Sequence, residues 1–435
     1  MLAGDPIAHV IQAGGGSPIP VGVPGGLQDG LQLVGSFEIP ASQTGEIMLD
    51  EFDVCKGVIK AGSSGIYQLK PLDFGRVVLL GTETEQRING EQVHALPGAG
   101  VATSVFDANG ATVQPYNPDG SLAGAAVRIA SPAYPTSLTP LTGGDFLLTW
   151  QLPPTEGPGL PIQPNRFFLQ LYDASGKPVA DPSEIGLVYP IWFSHTFPGT
   201  APTTAVSASS GFALLWRDLC CHYLLRAQGR STPGPLTTLD LTSPARVVAL
   251  TSGGYLVVAG LTTISATAFG VEGNAIGPAQ VVGFTQWGGP STWTDFAAAG
   301  LSDGGAVIAW ATEVNLFSGA TPTLNVRRVD GTGSPLGESI NVGRVDQGPP
   351  AVAGLPSGGF VLAWLLEGHV YAMRFAADGS AIGAARRLDA ITSSPGEVSV
   401  VANGAEGFVV SWNALGSDGQ RARYGRFLSV GYFAL

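Results

Sequence analysis

Short apolar runs, each opened by glycine or another small residue and most led by an aromatic, recur along the chain at long intervals. The clearest are Gly359-Phe360-Val361-Leu362-Ala363-Trp364 and Gly407-Phe408-Val409-Val410-Ser411-Trp412. Phe146-Leu147-Leu148-Thr149-Trp150, Gly211-Phe212-Ala213-Leu214-Leu215-Trp216 and Gly305-Ala306-Val307-Ile308-Ala309-Trp310 repeat the pattern. Gly254-Tyr255-Leu256-Val257-Val258-Ala259 lacks the tryptophan, and Gly75-Arg76-Val77-Val78-Leu79-Leu80 lacks both aromatics. None of the runs alternates. A strand with one wet face shows a period of two, so these runs predict strands buried on both faces. They end at residues 80, 150, 216, 259, 310, 364 and 412, at separations of 70, 66, 43, 51, 54 and 48. Repeated four-stranded sheets recur at about 40 to 50 residues, so the first two intervals are expected to carry insertions. The proline-rich stretch 153–164 is one of these, since it cannot be sheet interior.

A second pattern follows most runs: a β-run, a glycine-bearing turn and another β-run. Met373-Arg374-Phe375-Ala376-Ala377-Asp378-Gly379-Ser380-Ala381-Ile382-Gly383 and Leu171-Tyr172-Asp173-Ala174-Ser175-Gly176-Lys177-Pro178-Val179 are examples. Val105-Phe106-Asp107-Ala108-Asn109-Gly110-Ala111-Thr112-Val113 reads the same way, with Asn117-Pro118-Asp119-Gly120-Ser121-Leu122-Ala123-Gly124 as a rival hairpin. Asp-Gly and Asn-Gly between β-runs supply the positive φ that a tight hairpin requires. A whole unit is then four strands, as in 351–355, 360–364, 370–375 and 381–388. Sheets stacked radially bury both faces of such strands.

The unit resembles the degenerate GGFVxAW … RFDxDGxxxG repeats of large bacterial secreted and surface proteins, which are read as propeller blades. The resemblance covers roughly residues 65–435 and carries no functional residues with it. It implies an all-β fold: a single closed β-propeller of about seven four-stranded blades over residues 31–435, preceded by an extended Gly/Pro-rich arm at 1–30. Tyr424-Gly425-Arg426-Phe427 matches a third strand, and little chain follows it. The free β-pattern of Leu31-Gln32-Leu33-Val34-Gly35-Ser36-Phe37-Glu38-Ile39 is therefore expected to close the ring as a strand at 31–40. Such a latch would leave no long open edge.

Composition narrows the partners. Hydrophobic residues make up 44% of the chain and charged ones only 12%, too little charge to solvate a disordered chain. The 62 glycines and 33 prolines lie along the whole length, as many turns demand. Net charge is −12, and the only lysines are Lys56, Lys60, Lys70 and Lys177, so neither nucleic acid nor an anionic membrane surface is an expected partner. The N-terminus lacks the basic and apolar regions of a classical signal peptide, and no run is long enough to span a bilayer.

Candidate chemistry is sparse. Cys55, Cys220 and Cys221 are too few and too close to form a disulfide framework. His9, His94, His195, His222 and His369 offer one weak metal set, Cys220 and His222 with His195, whose ordinary reading is unrelated core and surface residues. The acidic groups Asp50-Glu51-Phe52-Asp53 and Thr82-Glu83-Thr84-Glu85 could supply paired carboxylates, but read more simply as solvated loops. Gly62-Ser63-Ser64-Gly65 and Ser302-Asp303-Gly304-Gly305 are turns, and no nucleophile elbow, phosphate loop or calcium loop is present. The sequence thus predicts no catalytic residue, cofactor or metal. It is read as a non-enzymatic binding or assembly module, extracellular, on a cell surface or on a virion. Its partner would be a protein or carbohydrate at a propeller face, or a neighbouring subunit reached by the arm. The alternative is a propeller hydrolase or lyase acting on polysaccharide, with acidic, aromatic and arginine side chains converging at one mouth of the channel.

Overall fold

The computed structural model describes residues 76–82, most of 91–429, and the backbone of six short strands between residues 7 and 65. Outside the description lie 83–90, 153–164, 189–202, 218–222, 229–235, 286–295, 313–321, 416–420 and 430–435, with shorter pieces of turns. The described elements are all strands.

Six sheets are each made of four consecutive antiparallel strands, and they form the blades of a β-propeller. The sixth shows the pattern: Ala351–Gly354, Phe360–Leu366, His369–Phe375 and Ala381–Arg387, close to the strands the sequence predicts. The first strands of the blades are Glu91–Ala95, Tyr134–Pro140, Thr203–Val206, Ala245–Ala249, Phe296–Gly300 and Ala351–Gly354. Each touches the next, and Ser393–Ala402 of a further sheet touches both Ala351–Gly354 and Glu91–Ala95. That further sheet is composite: Ser393–Ala402, Gly407–Leu415 and Arg421–Ser429 take Arg76–Thr82 as their fourth strand. No strand pairing joins one described blade to the next, so the ring is not closed as a hydrogen-bonded barrel. Neighbouring blades meet through side chains. One cluster, for example, packs Val361, Ala363 and Val370 of the sixth blade against Val398, Phe408 and Trp412 of the composite sheet.

The apolar runs are second strands, and they are buried on both faces as expected. Phe146–Leu152, Tyr255–Gly260, Ala306–Thr312 and Phe360–Leu366 are buried over nearly their whole length. Trp150, Trp216, Trp310, Trp364 and Trp412 are each at most 3% exposed, so truncating any of them opens a large cavity. Two turns recur at the same end of the blades. Between first and second strands, the N–H of Leu141, Leu250, Leu301 and Leu355 donates to the carbonyl of Asp145, Gly254, Gly305 and Gly359. Between third and fourth strands, the amides of Asn117, Asp173, Gly270, Asp330 and Ala376 donate to the carbonyls of Ser121, Lys177, Asn274, Ser334 and Ser380.

Four expectations are corrected. Gly75–Leu80 heads no blade of its own; Arg76–Thr82 is the outer strand of the composite sheet, with Val78 opposite Gly425. The closing strand is therefore this segment and not residues 31–40, where Phe37–Glu38 pairs instead with Ser64–Gly65. The first blade draws its second strand from Val101–Asp107, which has no tryptophan, so the Asp107–Gly110 hairpin joins second and third strands. The rival turn at Asn117 to Ser121 is the one that leads to the fourth strand, Val127–Ala130. The N-terminal segment is more than an extended arm: Ile7–Gln12 and Ile19–Gly22 pair in a four-stranded sheet with Gly45–Leu49 and Gly57–Ile59.

Four of the outer strands share a bulge that fits one blade onto the next. Gly186 lies opposite Phe167 and Glu184 opposite Phe168, which leaves Ile185 as the extra residue. Val282, Val342 and Leu80 are extra residues in the same way, and each precedes a glycine: Gly283, Gly343 and Gly81. A bulge bends and twists the strand that carries it. Trp216 of the third blade packs over Gly186 of the second, and Trp310 of the fifth over Gly283 of the fourth. A Cβ on Gly283 would lie 2.5 Å from Trp310 Cζ2.

Candidate functional site

Because first strands surround the axis, residues far apart in sequence meet there. A cavity of about 310 Å³ lies between them, lined by Gln92, His94, Ser137, Thr139, Thr204 and Arg246, with apolar contributions from Leu138, Val247, Val248 and Ala298. Five blades contribute, and the lining mixes hydroxyls, an amide, an imidazole and one guanidinium.

The polar groups are held from behind. Ser137 Oγ lies 2.7 Å from Thr149 Oγ1 on the adjacent second strand, and Thr149 Oγ1 lies 2.6 Å from Thr136 Oγ1, all buried. His94 Nε2 sits 2.9 Å from Ser104 Oγ. Burial pushes the His94 imidazole down to about 4, because desolvation disfavours its cation. It is therefore neutral at physiological pH and a weak base. Arg246 is exposed to the cavity and its guanidinium carbon lies 5.9 Å from the Phe296 ring centroid, on the first strand of the next blade. An aromatic face at that distance attracts the cation. Among the described residues of the lining, Arg246 is the only one charged at neutral pH and none is a carboxylate. The described lining presents hydrogen-bond donors and a guanidinium.

A second polar cluster lies on the sixth blade, at the end opposite the recurrent turns. Asp389 is fully buried, its Oδ1 3.0 Å from Arg387 Nε and its Oδ2 3.1 Å from His369 Nδ1. Close by, Gly368 N donates to Asp346 Oδ2 at 2.8 Å, and Leu388 N donates to Val370 O at 2.8 Å. A buried carboxylate must be compensated, and here a cation and an imidazole do so. The arrangement ties the connection between blades to the turn at Glu367 and Gly368.

Of the residues singled out in the sequence, Cys55, Cys220, Cys221, His195, His222, Asp50, Glu51, Asp53, Glu83 and Glu85 lie outside the described residues. Among the described residues, no group of three His, Cys, Asp or Glu side chains could hold a metal. Ser302-Asp303-Gly304-Gly305 is a turn as expected, with Gly304 N donating to Leu301 O and Asp303 Oδ1 accepting from Gly305 N. The channel set was missed. Its members alternate along first strands, and each strand ahead of a Leu-x-x-x-Gly or Leu-x-x-x-Asp turn could have been marked as channel-lining.

The connections are unevenly distributed. Those between second and third strands, and those between blades, all leave from one face, and they include 153–164, 189–202, 218–222, 286–295, 313–321 and 416–420. The recurrent tight turns occupy the opposite face, together with the connection 229–235.

The sheets and the channel together define a β-propeller protein. No family model matches the chain, and no curated protein matches it significantly. Solved structures show a distant similarity to the chain. A protein of unknown function from Dyadobacter fermentans is 13% identical, with 81% of this chain and 99% of that chain covered and a TM-score of 0.42. The WD40 domain of Toxoplasma gondii coronin is 9% identical over 82% of this chain and 87% of that one, at a TM-score of 0.49. An ulvan lyase, described as a new family of polysaccharide lyase, is 9% identical over 80% and 96%, at 0.43.

Proposed function

We propose that the chain is a non-enzymatic binding or assembly module, a seven-bladed propeller whose last blade is the composite sheet. In this reading it engages a protein or carbohydrate partner through the loop face, outside the cytoplasm or on a virion. One observation carries the proposal: the connections between second and third strands and those between blades, most of the longest ones among them, leave the face opposite the recurrent tight turns. Binding residues concentrate on loops that a rigid scaffold positions. The resemblance of the repeats to those of secreted and surface proteins supports the location.

The test pairs binding with turnover. The full chain is incubated with immobilised neutral and uronate-containing polysaccharides, and its self-association is followed by sedimentation. Retention on a polysaccharide, or self-association, is expected without new reducing ends or unsaturated uronate. Replacing 153–164 and 313–321 by short Asn-Gly turns is expected to abolish that interaction and leave the melting temperature within a few degrees of the parent. Depolymerisation of any polysaccharide, or an interaction indifferent to the loop replacement, overturns the reading.

A further inference from the structure

We propose that two copies of the chain associate through the outer strand of the fourth blade, Gln280–Phe284, laid antiparallel against itself. This rim is separate from the loop face and does not depend on it.

The strand ends its sheet, and no described strand pairs along its outer side. Outer strands of other blades carry a charge: Arg128 in the first, Glu184 in the second, Glu338 in the fifth, Arg386 in the sixth and Arg76 in the composite sheet. A charge on an edge strand guards it against pairing with another chain. Gln280-Val281-Val282-Gly283-Phe284 has none. The third blade's Leu236–Leu239 is also uncharged, but it offers one exposed large apolar side chain, Leu236, where the fourth blade offers several.

Ile276, Val281 and Phe284 are 58%, 50% and 65% exposed, all on one continuous outer segment. Arg327 holds the fifth blade beside it, donating to Val282 O and to Gly337 O, and so brings Leu336, 42% exposed, next to the segment. Single exposed apolar residues need no explanation, but a set joined along one uncharged edge does. Together the four leave on the order of 400 Å² of apolar surface in water, about half of what each partner buries in a standard interface.

Charge favours a second copy as the partner. At a net charge of −12 two chains repel one another, so self-association requires a patch where no like charges meet. In a two-fold interface the same surface faces itself, and this strand laid against its own copy sets no charged strand residue opposite another. A charge-poor, apolar centre is also what homodimer interfaces share.

The experiment is sedimentation equilibrium of the full chain over a wide range of concentrations. The parent is expected to pass from 44.5 kDa toward twice that mass as concentration rises. Val281→Lys and Phe284→Lys bring cations together across the two-fold axis, and each should weaken association by at least about tenfold. An equimolar mixture of the Val281→Lys and Val281→Glu chains should recover it, less strongly at high salt. Leu122→Lys alters a comparably exposed apolar residue on the first blade and should change nothing. Circular dichroism and melting establish that each variant folds, and either lysine variant serves alone if the other does not. The loop replacement is repeated with Val281→Lys in place, where it removes only what the loop face binds. A parent that stays monomeric leaves the edge to a foreign strand and overturns the proposal. Association that the folded lysine variants keep, or that Leu122→Lys weakens as much, overturns it too.

Discussion

His94 carries a pH signature that belongs to the fold. Unfolded, its imidazole titrates near 6.5; in the channel it takes a proton only near 4, because burial disfavours the cation. Between those values the unfolded chain binds a proton that the folded chain does not, so stability rises with pH across that window. It is full above 6.5 and is lost as pH falls toward 4, by at most about 3 kcal/mol. Urea unfolding of the parent and of His94→Gln at steps from pH 7 to pH 4 should show this slope in the parent and its absence in the variant. Exposed carboxylates act lower on the scale. Asp378 is held below its ordinary range mainly by the Ser380 hydroxyl, and Asp173 by the Ser175 hydroxyl, so their contribution fades only as pH drops through the carboxylate range. His94 was visible in the sequence as one of five histidines, and the turn after its strand could mark that strand as channel-lining, but nothing local showed what it would meet there. Gln92, Ser137, Thr204 and Arg246 were equally mute about one another, because a ring gathers residues whose sequence separation exceeds a blade.

At the scale of the element, the second strands were legible because burial on both faces leaves a continuous apolar run. Phe360-Val361-Leu362-Ala363-Trp364 cannot be read otherwise. The misreading of Gly75–Leu80 has the same physical root: this outer strand is also apolar, and its bulged Leu80 is buried with Val101, Tyr116, Val409 and Phe427. The distinguishing signal was the apolar–glycine pair Leu80-Gly81, which matches Ile185-Gly186, Val282-Gly283 and Val342-Gly343 at the other bulges. Val101–Asp107 was missed as a second strand for want of a tryptophan, although Leu96 donates to the Gly100 carbonyl in the turn that precedes such strands. The bulge glycine serves the next blade, and this can be measured. Gly283→Ala should cost about 1 to 3 kcal/mol by forcing Trp310 aside. Trp310→Ala alone should cost about 3 to 5 kcal/mol through the cavity it leaves. In the Trp310→Ala background the glycine substitution should cost almost nothing, a coupling that a double-mutant cycle in urea reads directly. Additive costs would mean that glycine and tryptophan do not support one another.

For the whole molecule, the decisive contact joins the start of the propeller to its last strands. Arg76–Thr82 pairs along Ala422–Phe427, and without it the composite sheet would keep three strands and an open edge. Among the described residues, blades are otherwise linked by side-chain packing and scattered hydrogen bonds, such as Asn403 Nδ2 to Pro118 O and Tyr172 Oη to Ala130 O. A ring held this way resists opening at most seams because the chain itself crosses them. The covalent chain crosses the seam between the composite sheet and the first blade through the connection 83–90, from the borrowed strand to Glu91–Ala95. Removing the strand therefore removes both the edge pairing and the covalent tie across that seam. A chain beginning at residue 74 should melt close to the parent, since it keeps Arg76–Thr82. A chain beginning at residue 91 should melt several degrees lower and self-associate through the exposed edge of Arg421–Ser429. Adding a peptide of residues 74–90 should restore part of the loss, in proportion to its concentration, as binding to the folded state alone requires. Calorimetry and sedimentation of the two truncations decide the matter. Equal melting temperatures would show that the ring stays shut by packing alone and that the borrowed strand is dispensable.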